Sequence, residues 1–252
     1  MDWNQLLCSA LDIGEQLEVS GAEVYRVEDC IQRICKAYGA TEVDVFTITS
    51  SIVLTIRQPD GHRLTQTRRI KRSETNLERV DQLNCLSRRM CEQQLTYAQF
   101  TEQFDAIMAQ SRYPHWMEYL LYMFIAGVFT VFSGGVWRDG LVSMGIGLAL
   151  KAAEDLNGGM RFNRVFSSLL ASFVVSMLAL WLVALGLGQS TEHIIIGNIM
   201  LLIPGVGLTN SLRDMISGDT MSGMLRFLEA CIISLAIAAG YLLARGLMGV
   251  LV

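Results

Sequence analysis

The chain has 252 residues, of which 52% are hydrophobic and 17% are charged, and its formal net charge is −4. Residues 1–114 contain 13 Lys/Arg and 16 Asp/Glu, whereas residues 115–252 contain only 7 and 8. The second part is too apolar for an ordinary water-soluble domain and indicates several membrane spans. Composition and charge together exclude a disordered chain and argue against nucleic-acid binding.

The N-terminal part has the composition of a small water-soluble domain. Its first ten residues carry no basic flank followed by an apolar run, so they do not resemble a secretory signal. We therefore expect this part to stay in the cytoplasm. Helical and alternating apolar patterns predict an α+β cytosolic domain over residues 1–112.

The predicted elements of this domain follow one another closely along the chain. Helical spacing of apolar residues predicts two helices, over 3–18 and 24–38. The turn signal at 59–61 predicts a hairpin that pairs 51–57 with 62–69. Two further helices are predicted, near 73–91 and from Thr96, which forms a capping box with Gln99.

Few side chains in this domain are candidates for chemistry. Glu23, Glu28 and Asp29 are possible acids or bases, but on a helix such residues are typical of a solvated face. The cysteines lack metal-ligand spacing, and no nucleophile with a base partner is recognisable. The sequence therefore predicts no catalytic residue, no metal and no cofactor.

The C-terminal part is predicted to be an all-α membrane domain over residues 113–252. Apolar runs predict five transmembrane helices, at about 116–134, 139–154, 165–188, 193–204 and 224–250. The loops that share a side with the N-terminal domain hold most of the basic residues: Lys151, Arg161, Arg164, Arg213 and Arg226. Only Arg138 and Arg245 lie on the other side, so the N-terminal domain is predicted to be cytoplasmic and the C-terminus outside.

The segment 204–223 is the best candidate for a functional site. Its proline and glycines interrupt the helices, and Asn210 and Asp214 share a face of the short helix between them. One interpretation is a surface loop in water. The other is a discontinuous helix that dips into the membrane and lines a watery cavity, as in transporters.

Three ordered motifs identify a family. They are SGAEVYRVEDCIQRI at 20–34, DGHRLTQTRRIKRSETNLERVDQLNCLSR at 60–88 and PGVGLTNSLRDMISGD at 204–219. Together they resemble the threonine/serine exporter family of bacterial inner membranes, over nearly the whole chain. Full-length members have about ten spans in two halves, so this chain resembles the long subunit of the split type.

The resemblance implies export of a small hydrophilic solute, either an amino acid such as threonine or serine or a dicarboxylate. It also implies a separate short five-span subunit as partner, in a hetero- or homo-oligomer within the lipid bilayer. We expect the substrate-binding residues to lie in the third motif. Thr209, Asn210 and Ser211 would face a substrate carboxylate.

In the same motif, Arg213 would add charge pairing, and Asp214 or Asp219 would carry a proton or hold an ammonium group. Two other classes of function stay open at this point. One is a membrane-anchored sensor that binds a ligand without moving it. The other is a hydrolase with its site in the soluble domain.

Overall fold

The computed structural model describes residues 1–71, 73–110, 113–158 and 163–251, which form two compact units. Unit 1 contains Met1–Gln110 and Gly205–Leu228, and unit 2 contains Ser111–Pro204 and Glu229–Val252. The predicted domain boundary at residue 112 and the predicted loop residue Arg161 lie outside the described residues.

Unit 1 begins with four helices and a three-stranded sheet. In chain order these are α1 (Trp3–Val19), α2 (Val24–Ala37), β1 (Glu42–Ile48), β2 (Ser51–Arg57), β3 (Arg63–Arg69), α3 (Leu77–Gln93) and α4 (Tyr97–Ala109). The predicted capping box at the start of α4 is confirmed, with Thr96 and Gln99 exchanging hydrogen bonds. Helix α3 starts later than predicted because Asn76 caps it, accepting a hydrogen bond from the Arg79 backbone N–H at 3.0 Å.

The sheet is an antiparallel meander in the order β1-β2-β3. The predicted hairpin is confirmed, with Ser51 opposite Arg69 and Arg57 opposite Arg63. On β2 the alternate residues Ile52, Leu54 and Ile56 are fully buried and belong to the core shared with α1 and α2. Each such side chain contributes roughly 1.5–3 kcal/mol of burial free energy.

Among its described residues, unit 2 contains helices joined by short connections and no strand. It contains α5 (His115–Phe132), α6 (Trp137–Gly158), α7 (Arg164–Ala184) and α8 (Thr191–Ile199). Its core contains Ile146, Leu150, Val175, Ala179 and Ile194.

Two last helices follow, α9 (Gly205–Ser217) and α10 (Thr220–Leu251). Gly218 separates them with a φ of +104°, a conformation that favours glycine. Helix α9 and α10 as far as Leu228 belong to unit 1, and α10 from Glu229 onward belongs to unit 2.

The prediction of five transmembrane helices is wrong for the described chain. Three helices are long and apolar enough to cross a membrane: α5, α7, and α10 over Thr220–Gly249. Helix α8 has nine residues and rises only about 13 Å, far less than a bilayer core.

Helix α6 is long enough to cross a membrane but too polar. It contains five ionisable residues, at both of its ends: Arg138, Asp139, Lys151, Glu154 and Asp155. At its C-terminal end these charges are paired, since Lys151 lies 2.6 Å from Glu118 on α5 and 2.9 Å from Asp155.

The predicted fold class is also wrong in its arrangement. We expected an α+β cytosolic domain followed along the chain by an all-α membrane domain. The described residues instead form ten helices and one small sheet. Unit 1 also includes a segment from late in the chain, Gly205–Leu228. The physical reason is that polar side chains of α9 and early α10 find their bonding partners at the α1–α2 connection.

Candidate functional site

Helix α9 is amphipathic and carries its polar side chains toward α2. Arg213 and Asp214 lie three and four residues after Asn210, so each of them is a neighbour of Asn210 on the helix surface. The helix closes with a hydrogen bond from the Asp219 backbone N–H to the Asp214 carbonyl at 2.9 Å. The sequence thus brings these three side chains to one surface.

The polar face of α9 bonds to the connection between α1 and α2. Asn210 Nδ2 donates to the Gly21 carbonyl at 2.8 Å, and the Val24 N–H donates to Asp214 Oδ1 at 3.1 Å. Val24 is the first residue of α2, so its N–H has no partner within the helix. Asp214 therefore caps α2 from another helix, and its negative charge is favourable at a helix N-terminus.

A buried ionic cluster lies beside this cap. Arg226 of α10 contacts Glu18 of α1, donates to the Ala22 carbonyl at 3.0 Å and lies 3.5 Å from Asp214 Oδ2. Burial raises the pKa of both Glu18 and Asp214, and the Arg226 charge opposes that rise.

Helices α9 and α10 approach each other closely at Gly223. A Cβ at Gly223 would lie 2.6 Å from the Ser211 carbonyl oxygen and 2.6 Å from Met215 Cγ. A side chain at position 223 would therefore push the two helices apart. The close approach keeps Arg226, one turn further along α10, beside the polar face of α9.

A groove of about 550 Å³ opens between α2 and α9, with further walls from α3. Among its lining residues are Glu23, which directly precedes α2, Arg26 of α2, and Thr209, Asn210 and Arg213 of α9. Arg26 Nε lies 2.7 Å from Glu23 Oε2, and the Arg213 guanidinium contacts Glu23 Oε1. Two guanidinium groups thus share one carboxylate, which leaves the groove with one excess positive charge.

The groove gathers three of the six predicted site residues. Thr209, Asn210 and Arg213 line the groove, whereas Ser211 and Asp214, on the same helix, are fully buried. The Ser211 hydroxyl donates to the Leu208 carbonyl at 2.7 Å. Asp219 stands just before α10, where its carbonyl accepts the Gly223 N–H at 2.9 Å. The three lining residues are therefore accessible to a ligand in the groove, whereas the buried Ser211 and Asp214 contact only the protein.

Two charged residues of this region, Glu18 and Arg226, were not predicted to take part in a site, and Glu23 was predicted to lie on a solvated face. The solvated face expected for Glu23 is wrong, since Glu23 is only 6% exposed. Glu18 carried a recognisable signal, because it continues a buried stripe of α1 that includes Leu7, Leu11 and Gly14. An acid on an apolar stripe indicates a buried partner.

Unit 2 contains a second polar arrangement that the sequence analysis did not predict. Thr130, Ser143 and Asn198 are fully buried and join three helices. Ser143 Oγ is 2.7 Å from Thr130 Oγ1 and accepts a hydrogen bond from Asn198 Nδ2 at 2.7 Å. Such interhelical hydrogen bonds stabilise helix packing in an apolar surrounding.

The described ranges contain no group of three or more His, Cys, Asp or Glu residues arranged to hold a metal ion.

Comparison with known proteins gives the family. The family model described as "Putative threonine/serine exporter" matches residues 9–248. The chain belongs to the threonine/serine exporter family. It is therefore a membrane protein of a transporter family and not an enzyme.

Two relatives show how members of the threonine/serine exporter family differ in length. "Probable succinate transporter subunit YjjP" of Klebsiella aerogenes is 25% identical over 230 residues, which cover 91% of this chain and 88% of that protein. "Probable threonine/serine exporter" of Mycobacterium tuberculosis is 24% identical over 247 residues, 95% of this chain but 46% of that protein. No solved structure matches the chain.

Proposed function

We propose that this chain is one subunit of an inner-membrane exporter of small hydrophilic solutes. The substrate is a threonine- or serine-like amino acid or a dicarboxylate, and the second subunit is a short five-span protein of the same family. The observation that carries this proposal is the match to the Klebsiella protein, which is called a transporter subunit and has nearly the same extent. The matched region is 46% of the Mycobacterium exporter, so in that protein a second region of similar length accompanies it.

The groove of unit 1 supports a specific substrate site. A substrate carboxylate bound there would pair with the Arg213 and Arg26 guanidinium groups, whose ion pairs within the described residues are both with Glu23. The Asn210 amide lies on the same wall and has a second N–H to donate, whereas the Thr209 hydroxyl, which donates to the Gly205 carbonyl at 3.0 Å, is left as an acceptor. A volume of about 550 Å³ is within the usual range of small-molecule sites.

The remaining predicted residues support the site without contacting the substrate. Asp214 caps α2, and Ser211 lies at the close contact with Gly223. Asp219 stands at the start of α10. Their replacement would disturb the position of α9 and weaken export indirectly.

The composition of unit 1 supports a common side for its two segments. Residues 1–110 and 205–228 form one compact unit, which supports an even number of membrane crossings between them. The candidate spans α5 and α7 supply two crossings. With a cytoplasmic N-terminus, α10 then carries the C-terminus to the outside.

Efflux from membrane vesicles tests the proposed function. Inside-out vesicles containing this chain and a short five-span subunit are incubated with labelled threonine, serine or succinate, and uptake into the vesicle lumen is measured. We expect transport of at least one of these solutes with both subunits, and none with either subunit alone. Absence of transport for all three solutes with both subunits would contradict the proposal.

A matched pair of variants tests the groove. Arg213→Gln removes one of the two guanidinium groups and should lower transport at least tenfold, which corresponds to about 1.4 kcal/mol of lost binding. Arg33→Gln removes an arginine whose pair with Asp29 is exposed, and it should leave transport unchanged. Equal transport by the two variants would remove Arg213 from the site.

The same assay separates the alternative functions. A sensor would bind the labelled solute without accumulating it in the vesicle lumen. Conversion of the solute to a product, instead of its transport, would contradict the assignment to a transporter family.

A further inference from the structure

The ionic cluster of unit 1 contains more acid than base in its buried part. Arg226 is in contact with Glu18 and lies 3.5 Å from Asp214 Oδ2. The side chains of Glu18 and Asp214 are 4% and 0% exposed, and that of Arg226 is 11% exposed. Two carboxyl groups therefore compete for one guanidinium out of contact with water.

Hydrogen bonding leaves one oxygen of each carboxyl group unsatisfied. Glu18 Oε1 accepts from Arg226, and Asp214 Oδ1 accepts from the Val24 N–H at 3.1 Å. Glu18 Oε2 and Asp214 Oδ2 are buried and have no hydrogen-bond partner within the part of the chain that the structure describes. A buried carboxylate oxygen without a donor is unfavourable, and a bound proton removes its charge.

Neighbouring charges do not supply the missing compensation. Arg213 and Arg26 are two further positive charges in unit 1, but their side chains are 51% and 52% exposed and both form their ion pair with Glu23. Water therefore screens them strongly. The negative charge of Asp219 raises the pKa of Asp214, and this effect is larger than the lowering by the Arg213 charge. The ionisable groups around the pair are Arg226, Arg213, Arg26, Glu23 and Asp219, with Glu28 nearby.

We propose that Glu18 and Asp214 form a proton-binding site in which the two carboxyl groups share one proton beside Arg226. The proton comes from water and occupies one of the two unsatisfied oxygens, Glu18 Oε2 or Asp214 Oδ2. In this state the cluster carries one negative and one positive charge and is balanced. Release of the proton leaves one uncompensated negative charge between α1, α9 and α10.

The position of the site links proton binding to the groove. Asp214 holds the N-terminus of α2, and Arg213, the next residue on α9, lines the groove. Loss of the proton would change the forces that hold α9 against α2. The use of this proton in export rests on the proposed function, whereas the proton site itself does not.

Infrared spectroscopy of the purified full chain in lipid nanodiscs tests the site directly. A protonated carboxyl group has a C=O stretching band that a carboxylate lacks, and the band shifts in D₂O. Spectra are recorded near pH 7 for the wild type, for Glu18→Gln, for Asp214→Asn and for the double variant. Each single variant leaves one carboxylate for Arg226, so each should lose the shared proton and one carboxyl equivalent of the band.

A shared proton has a distinctive non-additive signature. The double variant should lose the same single equivalent as either variant alone, and the exposed control Asp29→Asn should lose none. Loss of two equivalents in the double variant would mean two independent protons and would overturn the sharing. An unchanged band in both single variants would overturn the site.

Asparagine at position 214 keeps an oxygen acceptor for the Val24 N–H, and Glu18→Gln leaves that cap untouched. A folding defect in one variant therefore leaves the other as a valid test. Transport by vesicles with both subunits is measured separately as a function of pH. If no solute is transported, the proposed function fails while the infrared result still decides the proton site.

Discussion

Removal of Arg226 should destabilise unit 1 more than removal of any exposed arginine. In Arg226→Gln the carboxyl groups of Glu18 and Asp214 lose their counter-ion while they remain buried. Removing one partner of a buried ion pair costs about 3–5 kcal/mol of folding free energy. The side chains involved are 11%, 4% and 0% exposed, so solvent screening reduces this figure little.

The penalty should depend on pH. In the variant both carboxyl groups become neutral by binding protons, which is easy at low pH and difficult at high pH. We therefore expect a small loss of stability near pH 5 and the full loss near pH 8. At about 2–4 °C per kcal/mol, the full loss corresponds to a fall in Tm of about 6–20 °C.

The assay is thermal unfolding of the full chain in detergent, followed by intrinsic tryptophan fluorescence at both pH values. Arg33→Gln is the control, because its ion pair with Asp29 is exposed and contributes at most about 1 kcal/mol. A triple variant that combines Arg226→Gln with Glu18→Gln and Asp214→Asn removes all three charges of the buried cluster. It should recover much of the stability lost in Arg226→Gln. Equal Tm values for Arg226→Gln and Arg33→Gln would refute the buried cluster.

The remaining predictions concern unit 2 and the pH dependence of folding. Gly197→Ala would place a Cβ 2.7 Å from the Thr130 backbone nitrogen and should lower the free energy of unfolding by about 1–3 kcal/mol. In the control Gly145→Ala the new Cβ meets no atom within 4 Å, so this variant should be as stable as the wild type or more stable. Thermal unfolding of the two variants checks both expectations. Burial raises the pKa of Glu18 above its ordinary value of 4.5. Glu18 thus contributes stability that is full below about pH 4.5 and is lost as the pH rises through the raised value. The stability of the wild type relative to Glu18→Gln should therefore fall with rising pH, and an increase would contradict this sign.

The elements of residues 1–110 were predictable because local patterns determine them. The 3.6-residue period of α1 and α2, the turn at Pro59-Asp60-Gly61 and the Thr96–Gln99 capping box are short-range signals. The number of membrane spans was not predictable in the same way. Apolar composition extends from α8 to Ile203, but the helix ends at Ile199, so hydropathy overstates its length.

The contacts that build the site could not be predicted, because the residues that form them are far apart in the sequence. Val24 and Asp214 are 190 residues apart, and Glu18 and Arg226 are 208 apart. Helical periodicity placed Asn210 and Asp214 on one face of α9, but it contains no information on which helix that face contacts. The buried position of Glu18 on the stripe of α1 was the single local sign of a distant partner.

Transport by the assembled pair of subunits is the most direct test of the proposed exporter function and of its substrate site. Vesicles with both subunits should accumulate labelled threonine, serine or succinate. Substitution of Arg213 by glutamine should abolish most of that accumulation, while substitution of Arg33 should not. Full accumulation with Arg213 and Asn210 both replaced by neutral or smaller side chains would contradict a substrate site in the groove between α2 and α9.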